Sequence, residues 1–228
     1  MAASGRPTLT PSWSATGLLP EPYLQGEGQP YRWGGVLSEH DSFDPAFFGI
    51  PVFEAHSMSA HQRLVLCESW RAIENAGVDP HAMRGSSVGV FVGVEPTCYM
   101  HQTLTGASDA VIAGRVSYIL NFSGPALVIN TACSSSLVVI HIAAESLRSG
   151  ECNMAIAGGV YADLNQRTLA ALVQSGMLSP NGECKTFDAA ANDTGVDHDG
   201  ASNGQTVPSG EAQERLLRSV YRPCRGSL

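Results

Sequence analysis

Three short apolar runs, Val88 to Val92, Ala126 to Ile129 and Met154 to Ala157, stand out along the middle of the chain. Their length suits strands rather than helices. None alternates with polar residues, so each predicts a strand covered on both faces, as in a parallel sheet. Helical periodicities lie between them. Ser59 to Asn75 predicts a serine-capped helix with Leu64, Cys67, Ile73 and Ala76 on one side and Gly77 to end it. Ala107 to Leu120 predicts another, turning Val111, Ile112, Tyr118 and Ile119 toward apolar partners. A third follows Thr131-Ala-Cys-Ser-Ser-Ser. Its three serines can cap the start, Leu137, Ile140, Ala143, Ala144 and Leu147 recur on one side, and Ser149-Gly150 stops it. Gln166 to Gln174 reads as a further helix. Glu211 to Tyr221 reads as a short amphipathic one before a frayed tail, Arg222 to Leu228.

Composition fits a single α/β core. With 228 residues and 43% hydrophobic content, one core can be buried and a second cannot. A formal charge of −8, with 13 scattered basic residues, argues against a nucleic-acid partner. No apolar run approaches the roughly 20 residues of a membrane helix. The first thirty residues lack the charged start and apolar stretch of a secretory signal, and their prolines and glycines predict disorder over 1–30. The six cysteines, Cys67, Cys98, Cys133, Cys152, Cys184 and Cys224, form no Cys-x-x-Cys pair and have no histidine pair suited to zinc. Without an export signal they read as reduced thiols in a cytoplasmic protein, and no metal site is expected.

Cys133 is placed differently from the rest. It falls where the apolar strand Ala126 to Ile129 turns into a helix. Unpaired N–H donors and the positive end of the helix dipole favour thiolate there, the nucleophilic form. Position alone leaves two readings open: a nucleophile, or the small core residue that most lone cysteines near strands turn out to be.

The surrounding motifs separate those readings. Thr131-Ala-Cys-Ser-Ser-Ser-Leu137, Ser146-Leu-Arg-Ser-Gly-Glu-Cys152 and Ala157-Gly-Gly-Val160 closely resemble the ketosynthase domain of modular polyketide synthases. Upstream, Gly34-Gly-Val-Leu37, Phe43-Asp-Pro-Ala-Phe-Phe-Gly-Ile50, Gln62-Arg-Leu64, Gly89-Val-Phe-Val-Gly93 and Ala113-Gly-Arg-Val-Ser-Tyr118 fall in that family's order. Downstream come Gly176-Met-Leu-Ser-Pro180 and Cys184-Lys-Thr-Phe-Asp-Ala-Ala190. The resemblance covers about Tyr31 to Asn192 and resumes at Asp193.

The resemblance implies a partial thiolase-like α/β fold, mainly the N-terminal αβα half of a layered αβαβα architecture. Residues 31–192 would be the beta-ketoacyl synthase N-terminal domain and 193–228 a fragment of a later part. It implies acyl transfer to Cys133 from the phosphopantetheine of an acyl carrier protein, then decarboxylative Claisen condensation with a malonyl-type extender. No cofactor would be bound directly. The Cys133 backbone N–H would be one of two oxyanion donors. A homodimer, or association with other synthase polypeptides, would be the working form.

Two histidine motifs that family members carry beyond the cysteine are absent from these 228 residues, where only His141 and His198 follow Cys133. His141 lies eight positions along the helix, about 12 Å of rise from Cys133, too far for direct proton transfer. His198 resembles a loop residue that is not catalytic in the family. The family's opening strand has no visible counterpart before Tyr31, and several dozen residues expected after Ala190 are missing before Asp193. The chain therefore reads as a ketosynthase shortened at both ends and internally, incomplete for condensation by itself. A non-condensing acyl-binding remnant and a structural or dimerisation partner of an intact synthase stand as alternatives.

Other candidates are weaker. Gly158-Gly159 lacks the lysine of a phosphate loop and reads as a tight strand exit. Asp197 and Asp199 lack the further oxygen spacing of a calcium loop. By position within matched motifs, Met177 and Leu178 are candidates to line an acyl pocket, with ordinary core packing as the alternative. Lys185 and Asp188 are candidates to support the site from behind, with solvated surface charge as the alternative.

Overall fold

In the computed structural model the described residues are 17–18, 33–34, 42–95, 103–162, 166–175 and 213–216. The core is a three-stranded parallel sheet in the order β4-β3-β5, formed by β3 (Val88–Val94), β4 (Ala126–Ile129) and β5 (Met154–Val160). The described helices are α1 (Val52–Ser57), α2 (Ala60–Asn75), α3 (Leu104–Ala107), α4 (Ile112–Leu120), α5 (Ser135–Ser149) and α6 (Gln166–Gln174), of which α2, α4 and α5 pack on the sheet. Two short strands, β1 (Gly17–Leu18) and β2 (Trp33–Gly34), pair antiparallel apart from this sheet. Thus β1 lies within the stretch expected to lack order, and the rest of 1–30 lies outside the described residues.

The central strand explains the layering. Val88, Val90, Val92 and Val94 alternate along it and join Leu66, Trp70, Ile112 and Val116 in the larger core, on the side of α2 and α4. The intervening positions are Gly89, Phe91 and Gly93. Phe91 packs with Val139 and Ala143 of α5 on the opposite side. One face of β3 is therefore uniformly branched. The other is stripped to glycine on either side of a single ring, and α5 sits on that second face.

Glycine is required at the contact. A Cβ at Gly93 would stand 2.9 Å from the Ser135 carbonyl carbon, and one at Gly159 would stand 2.1 Å from Ser136 Oγ. These two glycines are register partners in adjacent strands, so they form one flat seat beneath the first turn of α5. Gly158 and Gly159 lie inside β5, paired with Val92 and Gly93, rather than at a strand exit.

Helix α2 begins as expected: the Ser59 hydroxyl accepts from the Gln62 N–H at 3.2 Å, and Gly77 adopts φ +75 just past its end. Its buried apolar side comprises Leu66, Cys67, Trp70 and Ile73, while Leu64 is half-buried and Ala76 exposed. Trp70 is held by the edges of Phe47 and Phe48, with ring centroids 4.9 and 6.1 Å away. That cluster turns the helix toward Leu66 and Trp70.

The helix expected over Ala107 to Leu120 is instead three pieces: α3, a 3₁₀ turn at Asp109–Val111, and α4. Buried Gln62 is the cause. Its Nε2 donates to the carbonyls of Thr105, Gly106 and Ser108 at 2.8, 3.3 and 3.2 Å, taking acceptors that a continuous helix would need. Next to it, fully buried His61 accepts the Ala162 N–H on Nε2 at 2.9 Å and turns Nδ1 toward Asp109, 3.5 Å away. Ile112 is buried, Val111 and Ile119 are half-buried, and Tyr118 is 82% exposed rather than packed. Asn121, at φ 57, ends α4 in the left-handed conformation that asparagine tolerates.

Helix α5 also faces differently from the expectation. Ser135, Val139, Ala143 and Ser146 are the residues it buries. Leu137, Ile140 and Leu147 are 64, 43 and 42% exposed, and only Ala143 of the expected side is covered. The glycine seat under the first turn accepts Ser135, with Val139 and Ala143 following on the same side, and leaves the leucines outside. Likewise only β3 is covered on both faces; β4 leaves Ala126 and Leu127 exposed, and β5 leaves Met154 exposed. Both are edge strands of a three-stranded sheet, which leaves less cover than at the centre. Of the expected helix at 211–221, a helical turn at 213–216 is within the described residues.

Two outcomes follow from this packing. The α5 stripe should make the purified chain bind a dye that reports apolar surface and elute above monomer mass in size-exclusion chromatography; a compact, dye-silent monomer would show the stripe to be covered. Gly93→Ala should lower stability by about 1–3 kcal/mol in urea melts, because the obstructing atoms are backbone. Gly159→Ala should cost less, since the nearest atom is a hydroxyl that can rotate.

Candidate functional site

The turn between β4 and α5 contains Cys133 and is closed by its own side chains. Asn130 Oδ1 accepts the Ala132 N–H at 2.9 Å. Ser135 Oγ accepts the Thr131 N–H at 2.8 Å and donates to the Ala132 carbonyl at 2.7 Å. Ser134 Oγ donates to the Thr131 carbonyl and hydroxyl at 2.8 and 2.9 Å. The serines therefore bind backward into the turn. The expected serine cap is not formed, since N-cap Ser134 makes no side-chain cap bond to α5.

This network holds Ala132 at φ +53, a left-handed backbone that costs a non-glycine residue on the order of 1 kcal/mol. Immediately after it, Cys133 is exposed. Its backbone N–H makes no hydrogen bond to another described residue. The turn thus presents a thiol and an open N–H together at the start of α5.

The other described cysteines are different. Cys67 and Cys152 are buried. Burial pushes the Cys67 thiol up to about 12, well above the ordinary thiol value. Cys152 lies 3.5 Å from Ser146 Oγ, which also donates to Glu151 Oε2 at 2.8 Å, and sits under α5 as packing. His141 is half-buried along α5, eight residues beyond Cys133. His198, Met177, Leu178, Lys185, Asp188, Asp197 and Asp199 lie outside the described residues. Among the described residues there is no cluster of three potential metal ligands and no helix long and apolar enough to cross a membrane.

Sequence reading missed Asn130, Ser135, Gly93 and Gly159 as parts of this turn. An asparagine two residues before a left-handed position was a legible signal. The pairing of two distant glycines under Ser135 and Ser136 was not, because it depends on sheet register.

A parallel sheet with helices on both faces of its central strand, bearing a cysteine on the strand-to-helix turn, defines a partial thiolase-like α/β protein. The chain belongs to the beta-ketoacyl synthase family, matching its N-terminal domain over residues 4–206. It is similar to the phenolphthiocerol synthesis polyketide synthase type I Pks15/1 of Mycobacterium marinum, 38% identical over 269 residues, covering 98% of this chain and 13% of that protein. It is also similar to erythronolide synthase EryA3 of Saccharopolyspora erythraea, 38% identical over 92% of this chain and 8% of that protein. Among solved structures, the ketosynthase from module 6 of the bacillaene synthase of Bacillus subtilis 168 superposes with a TM-score of 0.78 at 33% identity. That match covers 92% of this chain and 43% of the other. The oxazolomycin ketosynthase domain OzmH KS7 of Streptomyces albus superposes with a TM-score of 0.79 at 28% identity, over 91% of this chain and 45% of the other. The chain thus spans under half of each solved ketosynthase and a small part of each synthase.

Exposure and burial rank the thiols. In brief, limiting iodoacetamide treatment of native protein, Cys133 should label before Cys67 and Cys152 by peptide mass mapping. Preferential labelling of either buried thiol would contradict the geometry of this turn.

Proposed function

We propose that this chain is the cysteine-bearing portion of a polyketide synthase ketosynthase, and that Cys133 is its acyl acceptor. The observation that carries the reading is the pairing of an exposed Cys133 thiol with its own backbone N–H, which donates to no described residue, on a side-chain-locked turn. In the reaction, Cys133 sulfur attacks the carbonyl carbon of an acyl thioester on a carrier-protein phosphopantetheine. Negative charge collects on the carbonyl oxygen, where the Cys133 N–H can donate to it. The carbon–sulfur bond to the carrier then breaks, and the carrier thiol leaves with the proton that Cys133 gave up.

Condensation would follow in an intact family member: a malonyl-type thioester loses carbon dioxide, and its carbanion attacks the acyl-Cys133 carbonyl and releases the thiol. The 228 residues contain neither histidine motif that this step uses. The alignment with the Mycobacterium marinum synthase runs over 269 positions, more than this chain contains, which favours the reading that an internal stretch is missing here. Residues 31–192 and 193–228 are then two pieces of one ketosynthase domain. Met177 and Leu178 would line the acyl pocket, Lys185 and Asp188 would support the site from behind, and the compartment is the cytoplasm. Partners are an acyl carrier protein and a second ketosynthase copy or another synthase polypeptide. The exposed Leu137, Ile140 and Leu147 favour such association.

Incubation with an acyl N-acetylcysteamine thioester should add one acyl mass to the purified chain, and Cys133→Ala should abolish the adduct. Addition of a malonyl thioester should yield no condensation product above the Cys133→Ala background. Loss of oriented acid–base groups typically costs factors of about 10² to 10⁴ in rate. Cys133-dependent product would show that the chain holds a base of its own.

A further inference from the structure

We infer that Ser135 is a positioning residue that aims the Cys133 N–H, an inference that rests on Cys133 being the acyl acceptor. The peptide joining Ala132 to Cys133 is planar and trans, so its carbonyl and its N–H point in opposite directions. Whatever holds the Ala132 oxygen therefore directs the Cys133 N–H. That oxygen is held from one side by two donors of a single residue: Ser135 Oγ at 2.7 Å and the Ser135 backbone N–H at 3.1 Å. The same hydroxyl accepts the Thr131 N–H, so its own orientation is fixed.

Ser135 is only 6% exposed, which keeps water from replacing it readily. Ser134, which closes the turn from the other side, is exposed and can be replaced by solvent. Beneath Ser135 lies Gly93, where a Cβ would meet the Ser135 backbone and side chain at 2.9–3.0 Å. The sheet thus supports the serine, the serine holds the Ala132 carbonyl, and that carbonyl sets the direction of the open N–H. Left-handed Ala132 makes the arrangement necessary, because a loosened turn would relax away from φ +53 and carry the N–H with it.

Two reactions of the same thiol separate aiming from packing. Alkylation by iodoacetamide occurs at a saturated carbon and needs no oxyanion donor. Acylation by butyryl N-acetylcysteamine thioester develops an oxyanion and needs the N–H in place. Removing an oxyanion donor outright costs about 10² to 10³ in rate, so misaiming one should cost about tenfold. For the full 228-residue chain, Ser135→Ala should slow acylation of Cys133 about tenfold while alkylation changes less than about twofold. Ser149→Ala, at the exposed far end of α5, should alter neither ratio nor rate appreciably. Equal loss in both reactions with Ser135→Ala, or no loss, overturns the aiming role. If Ser135→Ala proves unfolded by circular dichroism, Ser135→Cys serves instead, read at Cys133 by fragmentation of the labelled peptide. It keeps the size of the side chain but replaces the hydroxyl on the Ala132 carbonyl with a weak donor and should show the same selective loss, whereas an unchanged ratio overturns the inference. A wild-type chain that is alkylated at Cys133 but never acylated overturns the acyl-acceptor reading, and the aiming role with it.

Discussion

The approach of α5 to the sheet is the constraint on which the rest of the structure depends. Gly93 and Gly159, opposite each other in β3 and β5, leave no side chain between the sheet and the first turn of the helix. Packed interiors tolerate few voids, so a close seat also dictates what comes down onto it. Only the side of α5 that carries Ser135, Val139, Ala143 and Ser146 comes down onto it. The seat thereby selects which residues of the helix are buried and places Ser135 where its hydroxyl reaches both Thr131 and Ala132. The geometry of Cys133 is a consequence of strand glycines about forty and twenty-six residues away in sequence.

Buried polar side chains complete the opposite layer. Gln62 binds three carbonyls of the segment preceding α4, and His61 accepts the N–H of Ala162, two residues past β5, while facing Asp109. An unpaired polar group in a core costs about 1–3 kcal/mol, and Gln62 Nε2 and His61 Nε2 each avoid that cost by bonding to backbone. These contacts join the end of β5 to the turns that lead into α4. The β4–α5 turn is consequently fastened at a sheet whose two faces are built differently: branched apolar packing on one side, close backbone approach on the other.

The outward stripe of α5 follows from the same seat. Leu137, Ile140 and Leu147 have an apolar periodicity as regular as that of any covered helix, yet the layer that would cover them is absent among the described residues. The chain spans under half of each solved ketosynthase that it resembles. Helix α5 thus carries a second apolar side besides the one that faces the sheet. This explains why its bulkier side could be mistaken for the one facing the sheet.

By itself the sequence determined the element types, because periodicity and caps are local: Ser59 opens α2, Gly77 closes it, and three apolar runs become three strands. It also located the candidate cysteine, since Cys133 stands where an apolar run meets a serine cluster, and the ordered motifs around it disclosed the family. Only the tertiary structure decided which side of α5 is buried, why the segment before α4 breaks, and what holds the turn. Each of those depends on atoms far apart in the chain. Gln62 reaches Ser108, Gly93 lies under Ser135, and Gly159 pairs with Gly93. No window of neighbouring residues contains such pairs, because sheet register and side-chain reach are set only once the strands have aligned.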